Sequence, residues 1–408
     1  PMLSATQVVS PEQGKGANKA KADKLAIGGQ ESFWLLEYFK YAGLYRGALP
    51  RVVQGRKDRK TYVLVPAHGG IELTWHTRAF EQFQKDFWPS SAIKMDILAA
   101  LRYTALLLRE WEGAQRSAGR RRRPSDYVEG FAVASYKDLG SAVAVMNVAT
   151  VGLPDWVAWP DSPEQAQELQ SAVDDHLSIV RALDEAKGDE ERLLRAYRDF
   201  LTSRDPNLRA FFAFTAGYAG HVIRKLSKGQ PVRRLTLDNL KVIVMANESA
   251  RPGPKKLAPI IENPGFQHIA TAIRQATVLQ QYYKTERNDN TYDVRYGLAD
   301  ELLRHSRDSR EFMRALSDFL TDYSKENARV MERFKNKGRK RIPISTEDIA
   351  QIAELIDAYD PQTIASMLVA FGYARDPRTD DSSAQRGAGS DEGANAQDET
   401  DTSADDTN

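Results

Sequence analysis

The sequence predicts an α+β protein: a mixed α/β N-terminal region, then an all-α helical bundle and a disordered acidic tail. Three observations support this expectation. Short apolar runs with strand-like character lie before residue 160. After it, apolar residues recur at three- and four-residue spacing, as in helices with one buried side. Residues 376–408 are rich in Asp, Ser, Gly and Thr and almost lack large apolar side chains.

The length of 408 residues, of which 41% are hydrophobic, indicates two or three domains with a sizeable core. We expect the chain to be divided into regions of different character. They are a flexible lead-in at 1–30, a mixed α/β domain at 31–160, a helical bundle domain at 161–375 and the acidic tail at 376–408.

The front region is expected to contain both helices and strands. A helix is predicted over 31–45, where Leu35, Tyr38 and Phe39 fall on one stripe. A longer helix is predicted at about 91–112. The strand-like runs are 50–53, 61–66, 71–75, 130–135 and 141–151.

Several helices of the bundle carry sequence signals for their ends. Asn207 precedes a long apolar stripe and is expected to cap that helix. Ser345 and Asp348 resemble a capping box at the start of another helix. An Asp-Pro pair at 360–361 opens the last helix, which Gly372 is expected to close.

The stretch from Phe266 to Arg295 is the most informative part of the chain. It begins as a helix, because Ile269, Ile273 and Ala276 recur at one-turn spacing. A polar loop of alternating cations and tyrosines is expected to follow, with Tyr282, Tyr283, Lys284, Arg287, Tyr292, Arg295 and Tyr296. Cations contact phosphates, and aromatic faces accept an unpaired base or a sugar. The stretch therefore predicts a nucleic-acid-binding surface.

The net charge of +1 conceals an uneven distribution. Residues 376–408 contain ten acidic residues and two arginines, which leaves 55 basic and 46 acidic residues in 1–375, a net charge of +9. A folded body with that surplus attracts polyanions. The acidic tail is therefore expected to screen the basic body within the same molecule.

Composition also limits the chemistry and the compartment. The chain contains no cysteine, which excludes disulfides and thiolate metal sites. No apolar run approaches the length of a membrane span, and the N-terminus lacks the charged-then-apolar pattern of a secretory signal. We therefore expect a cytoplasmic protein with no cofactor and no membrane partner.

Motifs for catalysis are weak. The six histidines never pair at metal-ligand spacing on one helix. The Gly14-x-Gly16 pair follows no strand and lacks a following Gly-Lys-Ser/Thr, so its match to a phosphate-binding loop is a chance one. Asp175, Glu185 and Lys187 faintly resemble the carboxylate set of a metal-dependent nuclease. They lie in an acidic helical region without a flanking strand, where a solvated helix face is the commoner explanation.

Basic residues cluster in several connecting segments. A charge run often only solvates a surface, but three basic connectors within the helical half favour a track for nucleic acid. The candidate nucleic-acid-binding residues are Arg56, Lys57, Arg59, Lys60, Arg120, Arg121, Arg122, Arg123, Arg233, Arg234, Lys255, Lys256, Arg274, Tyr282, Tyr283, Lys284, Arg287, Arg295, Lys335, Lys337, Arg339, Lys340 and Arg341. No catalytic and no metal-binding residue is assigned.

The order of several motifs resembles that of the large subunit of the type I CRISPR Cascade effector complex, the Cas-eight family. The similarity covers about residues 31–375. The motifs are ESFWLLEYFKYAGLY, KDRKTYVLVP, HIATAIRQATV followed by QYYK and YDVRYGL, DFLTDYSKENAR and SMLVAFGYAR. The chain departs from the family in its short α/β region and in lacking the paired-cysteine zinc motif of some branches.

This resemblance implies a non-catalytic subunit of an RNA-guided complex in antiviral defence. Such subunits read a short motif beside the DNA target, help to hold the displaced strand and dock a helicase-nuclease. The implied partners are guide RNA, target DNA, the other Cascade subunits and the helicase-nuclease. Two alternatives stay open on the residues alone: a stand-alone basic helical DNA-binding or scaffold protein, and a metal-dependent nuclease that uses Asp175 and Glu185.

Overall fold

The structure is a computed structural model that describes residues 39, 42–43, 46–67, 73–110, 123–140, 143–203, 205, 207–250, 255–335 and 339–377. Within these residues the α+β class is confirmed. The predicted lead-in, most of the predicted helix at 31–45 and nearly all of the acidic tail lie outside the described residues.

Among the described residues, four strands form one antiparallel sheet in the order β1-β2-β3-β4, so that neighbours in the chain are neighbours in the sheet. The strands are β1 Ala48–Val52, β2 Arg59–Pro66, β3 Val128–Asp138 and β4 Val143–Gly152. Tyr62 pairs with Val133 across β2 and β3, and both side chains are buried on the same face of the sheet. The strand-like runs that correspond to these four strands are confirmed.

The predicted strand at 71–75 is wrong from Leu73 onward, because a helix, α1, spans Leu73–Asp86. The run of three alternating apolar residues is too short to distinguish a strand from a helix. The deciding residues come later, where Ala79, Phe80 and Phe83 are buried at three- and four-residue spacing.

Helix α2, Ala92–Arg109, packs against the sheet and contacts β2 through buried polar side chains. Lys60 and Tyr62 of β2 both donate to Oδ1 of Asp96, at 2.7 and 2.8 Å. Asp96 is 1% exposed and Lys60 is 8% exposed. A buried ion pair contributes little net stability but makes the loss of either partner costly, so this pair ties the sheet to α2.

Helices make up most of the chain after β4. They are α3 Pro163–Ala182, α4 Gly188–Thr202, α5 Arg209–Ser227, α6 Leu237–Ala250, α7 Ala258–Glu262, α8 Pro264–Ala276, α9 Val278–Arg287, α10 Leu298–His305, α11 Ser309–Arg333, α12 Thr346–Ala358 and α13 Pro361–Tyr373. Buried apolar residues of the sheet, of α2 and of this bundle belong to one continuous core cluster.

Two of the predicted helix starts are confirmed. Ser345 and Asp348 form a reciprocal capping box, in which Ser345 accepts from the Asp348 amide at 3.1 Å. Asp360 accepts from the Thr363 amide at 2.8 Å, and Pro361 occupies the first turn.

Two other terminal assignments are wrong. Asn207 does not cap α5; Asp205 instead accepts from the amides of both Asn207 and Arg209, at 2.9 and 3.1 Å. Gly372 does not close the last helix, which continues to Tyr373. A Cβ at Gly372 would lie 2.5 Å from Cγ2 of Ile273, so the glycine permits α13 to pack closely on α8.

Candidate nucleic-acid interface

The segment expected to be a loop after α8 is in large part a second helix. Thr277, with φ −121° and ψ −98°, breaks α8 from α9. Tyr282, Tyr283, Lys284 and Arg287 therefore lie on α9, and the prediction of a loop at these residues is wrong. The polar composition of this stretch indicates a loop, but α9 has a buried side that includes Val278, Leu279 and Gln281 and packs it against the protein.

Helix α9 presents its two neighbouring tyrosines to different surroundings. Successive residues on an α-helix point about 100° apart. The Tyr283 side chain is 6% exposed and contacts the segment at 339–341. Tyr282 is half-buried and lines a surface groove on another side of α9.

On the Tyr283 side, guanidinium groups alternate with tyrosine rings in a stack. Cζ of Arg339 lies 3.9 Å from the Tyr283 ring centroid and 5.3 Å from that of Tyr292. Cζ of Arg341 lies 3.5 Å from the Tyr292 centroid and 5.3 Å from that of Tyr323. Such cation–π contacts gain strength when the cation is desolvated, so the stack holds the segment after α11 against the body.

Ionic and hydrogen bonds complete this stack. Nη1 of Arg341 lies 2.8 Å from a carboxylate oxygen of Glu326, and the Tyr292 hydroxyl donates to the Arg339 carbonyl at 2.5 Å. Burial lowers the pKa of Arg341, and the Glu326 carboxylate opposes that effect. Arg341 is 7% exposed. The charge of Arg341 is therefore paired with Glu326 inside the protein and is not accessible to a ligand.

On the Tyr282 side, two adjoining depressions of about 670 and 520 Å³ share Asp175, Ser178 and Arg233 in their walls. A third, of about 510 Å³, adjoins them through Gln230. We call these three depressions together the arginine groove. Among the described residues, its walls contain eight cationic and five acidic side chains. The cations are Arg109, Lys187, Arg224, Lys225, Lys228, Arg233, Arg234 and Arg375.

The central part of the groove is built by two segments that are far apart in the chain. The Leu237 amide donates to the Arg375 carbonyl, and the Arg375 amide donates to the Leu235 carbonyl, both at 2.9 Å. This bridge places Arg375 beside Arg233 and Arg234. Tyr282 and Glu286 of α9 form the wall of the same depression.

Asp175 anchors the segment that carries two of these arginines. Its Oδ2 accepts from the amide and hydroxyl of Thr236 at 3.0 and 3.2 Å, and from the side-chain amide of Asn239 at 2.6 Å. The segment is therefore fixed to α3 immediately after Arg233 and Arg234. The guanidinium of Arg233 is exposed and makes no hydrogen bond or ion pair with a described residue.

The other two members of the suspected nuclease set, Glu185 and Lys187, have structural contacts of their own. Oε2 of Glu185 accepts from the amides of Ile93 and Lys94, at 2.8 and 3.1 Å, at the start of α2. Lys187 lies 3.3 Å from Asp184. In the described parts of the chain, no group of three or more His, Asp and Glu side chains is arranged to hold a metal ion.

The structure separates the sequence-predicted site residues into several groups. Arg233, Arg234 and Tyr282 line the arginine groove. Lys60 and Arg274 are buried and paired with Asp96 and Asp376. Three further arginines lie within 4 Å of acidic partners; these are Arg123, Arg295 and Arg339. Exposed cations elsewhere on the surface are Arg56, Lys57, Arg59, Lys255, Lys256, Lys284, Arg287, Lys335 and Lys340. Outside the described residues are Arg120, Arg121, Arg122 and Lys337.

Sequence reasoning missed several cations of the groove. Arg109 ends α2, and Arg375 follows α13, and neither belongs to a local run of charge. Arg224, Lys225 and Lys228 at the end of α5 form a short basic run, which is a signal that could have been used. Only the fold shows that these positions meet.

Comparisons with protein-family models, with curated proteins and with solved structures each gave no match to this chain. None of the described helices is both long enough and apolar enough to cross a membrane.

Proposed function

We propose that the protein binds nucleic acid in the arginine groove. The observation that carries this proposal is the meeting of Arg233, Arg234 and Arg375 around one depression whose wall also contains Tyr282. Guanidinium groups offer several N–H donors in a fixed plane and match phosphate oxygens geometrically. A tyrosine face at the same place accepts a base.

The half-buried tyrosine favours a single strand over a duplex. A base can stack on Tyr282 only when its face is free, whereas both faces are covered inside a duplex. Phosphate contacts from the arginines serve either form of nucleic acid. We therefore expect unpaired DNA or RNA to gain the stacking contribution and duplex DNA to bind through charge alone.

We further propose that the chain acts as the non-catalytic large subunit of an RNA-guided CRISPR surveillance complex. The motif resemblance supports this role, and a groove suited to a single strand agrees with the holding of a displaced strand. Guide RNA, target DNA, the other subunits and the helicase-nuclease are the corresponding partners. The structural contacts of Asp175 and Glu185 favour this role over that of a nuclease.

Photocrosslinking tests the site. Single-stranded DNA with one iodouracil is irradiated with the purified protein, and crosslinked peptides are mapped by mass spectrometry. We expect a crosslink to the peptide that contains Tyr282. The crosslink should persist in the Tyr282→Phe variant, which keeps the aromatic ring, and should be lost when the same strand is in a duplex. Crosslinks confined to the turn at Arg56 and Lys57 would contradict the proposed site.

Co-purification tests the wider role. The protein is expressed with its neighbouring genes and a CRISPR array, and nucleic acid bound to it is sequenced. Guide RNA together with further subunits is expected. Recovery of the chain alone with mixed cellular nucleic acid would support the stand-alone DNA-binding protein instead.

A further inference from the structure

The described part of the chain ends at residue 377, close to the edge of the arginine groove. Arg375 lines the groove, and the next residue, Asp376, is held with its carboxylate 3.5 Å from the Arg274 guanidinium. The Arg274 side chain is 5% exposed and that of Asp376 is 17% exposed. This ion pair holds Asp376, the attachment point of the residues that follow, against α8.

The segment that follows has a charge opposite to that of the groove. Residues 378–408 contain nine acidic residues and only two arginines. Cationic side chains outnumber acidic ones in the groove walls. Opposite charges held close to each other attract most strongly when salt is low.

We propose that the acidic segment 378–408 occupies the arginine groove when nucleic acid is absent and competes with it for the same cations. This inference rests on the proposed function of the groove. It goes beyond general screening of a basic body, because it assigns the segment to one surface and makes its binding exclusive with that of a nucleic-acid strand.

The length of the segment is sufficient for this contact. A coil of 31 residues has an end-to-end distance of about 30 Å, while the attachment point adjoins the groove itself. A tethered ligand of this kind has an effective concentration on the order of 1 mM. If its intrinsic dissociation constant is on the order of 0.1 mM, it weakens the binding of a competing strand about tenfold.

The groove begins beside the attachment point and contains cations that make no ion pair within the described residues. Arg233 makes no ion pair with a described residue, and Lys228 is exposed in the third depression. By contrast, Arg341 of the arginine–tyrosine stack is buried against Glu326.

Zero-length carbodiimide crosslinking tests the location of the segment in the full chain. Lys228 lies in the groove, and Lys57 in the turn between β1 and β2 is an exposed control. We expect crosslinks between acidic residues of 378–408 and Lys228 that disappear when saturating single-stranded DNA is added. Equal crosslinking to Lys57, or crosslinks to Lys228 that persist with DNA bound, would overturn the proposal.

Affinity measurements test the competition. The nine acidic residues are replaced in the full chain by Asn and Gln, and Asp376 is kept because it pairs with Arg274. We expect about tenfold tighter binding of single-stranded DNA at about 0.1 M salt, with the difference lost near 1 M, where the Debye length is about 3 Å. A control with the same 31 residues in shuffled order should bind like the parent.

Failure of the two proposals can be told apart with one more variant. If neutralising the segment changes nothing but Arg233→Ala with Arg234→Ala weakens binding, the groove binds nucleic acid and the competition is wrong. If the groove variant also binds like the parent, the proposed function itself is wrong.

Discussion

Two adjacent tyrosines have different roles because of their surroundings. Tyr283 is 6% exposed and stacks on Arg339, so it belongs to the packing of α9 against the segment after α11. Tyr282 lies half-buried in the groove wall. The local sequence does not distinguish the two tyrosines, since both precede Lys284 in the same polar stretch.

We predict opposite effects of truncating the two side chains. Tyr283→Ala should lower the free energy of unfolding by about 3 kcal/mol, because it removes a buried ring and exposes a stacked guanidinium. Tyr282→Ala should leave the melting temperature almost unchanged and weaken binding of single-stranded DNA by about 1–3 kcal/mol. Thermal melts and salt-titrated affinities on both variants check this; loss of stability in Tyr282→Ala with unchanged binding would contradict it.

His176 and His76 are buried among aromatic side chains. His176 is 1% exposed and bonds to the Tyr197 hydroxyl, while Nδ1 of His76 lies 2.7 Å from the Tyr103 hydroxyl. Burial lowers the pKa of His176 to about 3 and that of His76 to about 4. Both imidazoles are therefore neutral in the folded protein at neutral pH.

These pKa values predict that acid destabilises the fold in a defined range. The unfolded chain takes up these protons near pH 6.5 and the folded chain only near pH 4 or below. Unfolding thus binds protons between these limits, and its free energy falls by about 1.4 kcal/mol per pH unit for each histidine as the pH drops. Urea denaturation between pH 7 and pH 5 measures the slope.

A matched variant tests whether His176 contributes to the dependence of the unfolding free energy on pH. His176→Phe removes one of the titrating groups, so its stability should depend less steeply on pH even if the variant is less stable throughout. A slope identical to that of the parent would show that His176 is not a source of the dependence.

Burial of individual cations could not be predicted from local sequence. Lys60 follows a basic turn and lies on β2, yet its partner Asp96 is 36 residues away. Arg341 ends the most basic connector and pairs with Glu326, 15 residues earlier on α11. Local charge density identifies where cations are, but only the fold decides which of them are desolvated.

At the scale of elements, α2 begins on a cap supplied from a distant segment. Ser91 precedes the helix without a side-chain capping bond, and Glu185 accepts from the amides of Ile93 and Lys94 instead. A carboxylate at a helix N-terminus satisfies free amides and opposes the positive end of the helix dipole. Glu185 thereby links the α3–α4 connection to α2.

We predict that Glu185→Ala lowers stability by about 1–2 kcal/mol, the usual cost of losing an N-terminal cap. Glu185→Gln should lose less, because the amide oxygen still accepts hydrogen bonds. Chemical denaturation of the variants measures both effects. An alanine variant as stable as the parent would contradict the capping role, and metal-dependent DNA cleavage that Glu185→Ala abolishes would revive the nuclease alternative.

Local signals predicted some elements well and failed where a distant contact decides. The capping box at Ser345 and the Asp-Pro start at 360–361 are complete within four residues, and both are confirmed. The loop expected after α8 is a helix because the buried side of α9 is covered by other parts of the bundle. A glycine often ends a helix, so Gly372 is expected to end α13. The structure instead explains this glycine by the close packing of α13 on Ile273.

At the scale of the whole molecule, the groove is an outcome of topology. Its cations come from the end of α2, the start of α4, the end of α5, the segment before α6 and the second residue after α13. The basic surplus of the chain and the α+β class could be predicted, since both depend on composition and periodicity. The assembly of the groove could not, because the bridge between Thr236 and Arg375 joins positions far apart in sequence.

The salt dependence of single-strand binding tests the central claim most directly. Arg233, Arg234 and Arg375 are replaced together by Ala, and the matched control replaces three exposed arginines outside the groove, Arg304, Arg307 and Arg310. Removing one cation that neutralises a phosphate of a single strand reduces the slope of log K against log salt by about 0.7. We predict a slope smaller by about 2 and weaker binding for the groove variant, with the parent slope kept in the control. A groove variant that keeps the parent slope, or a control whose slope falls as much, would contradict binding in the arginine groove.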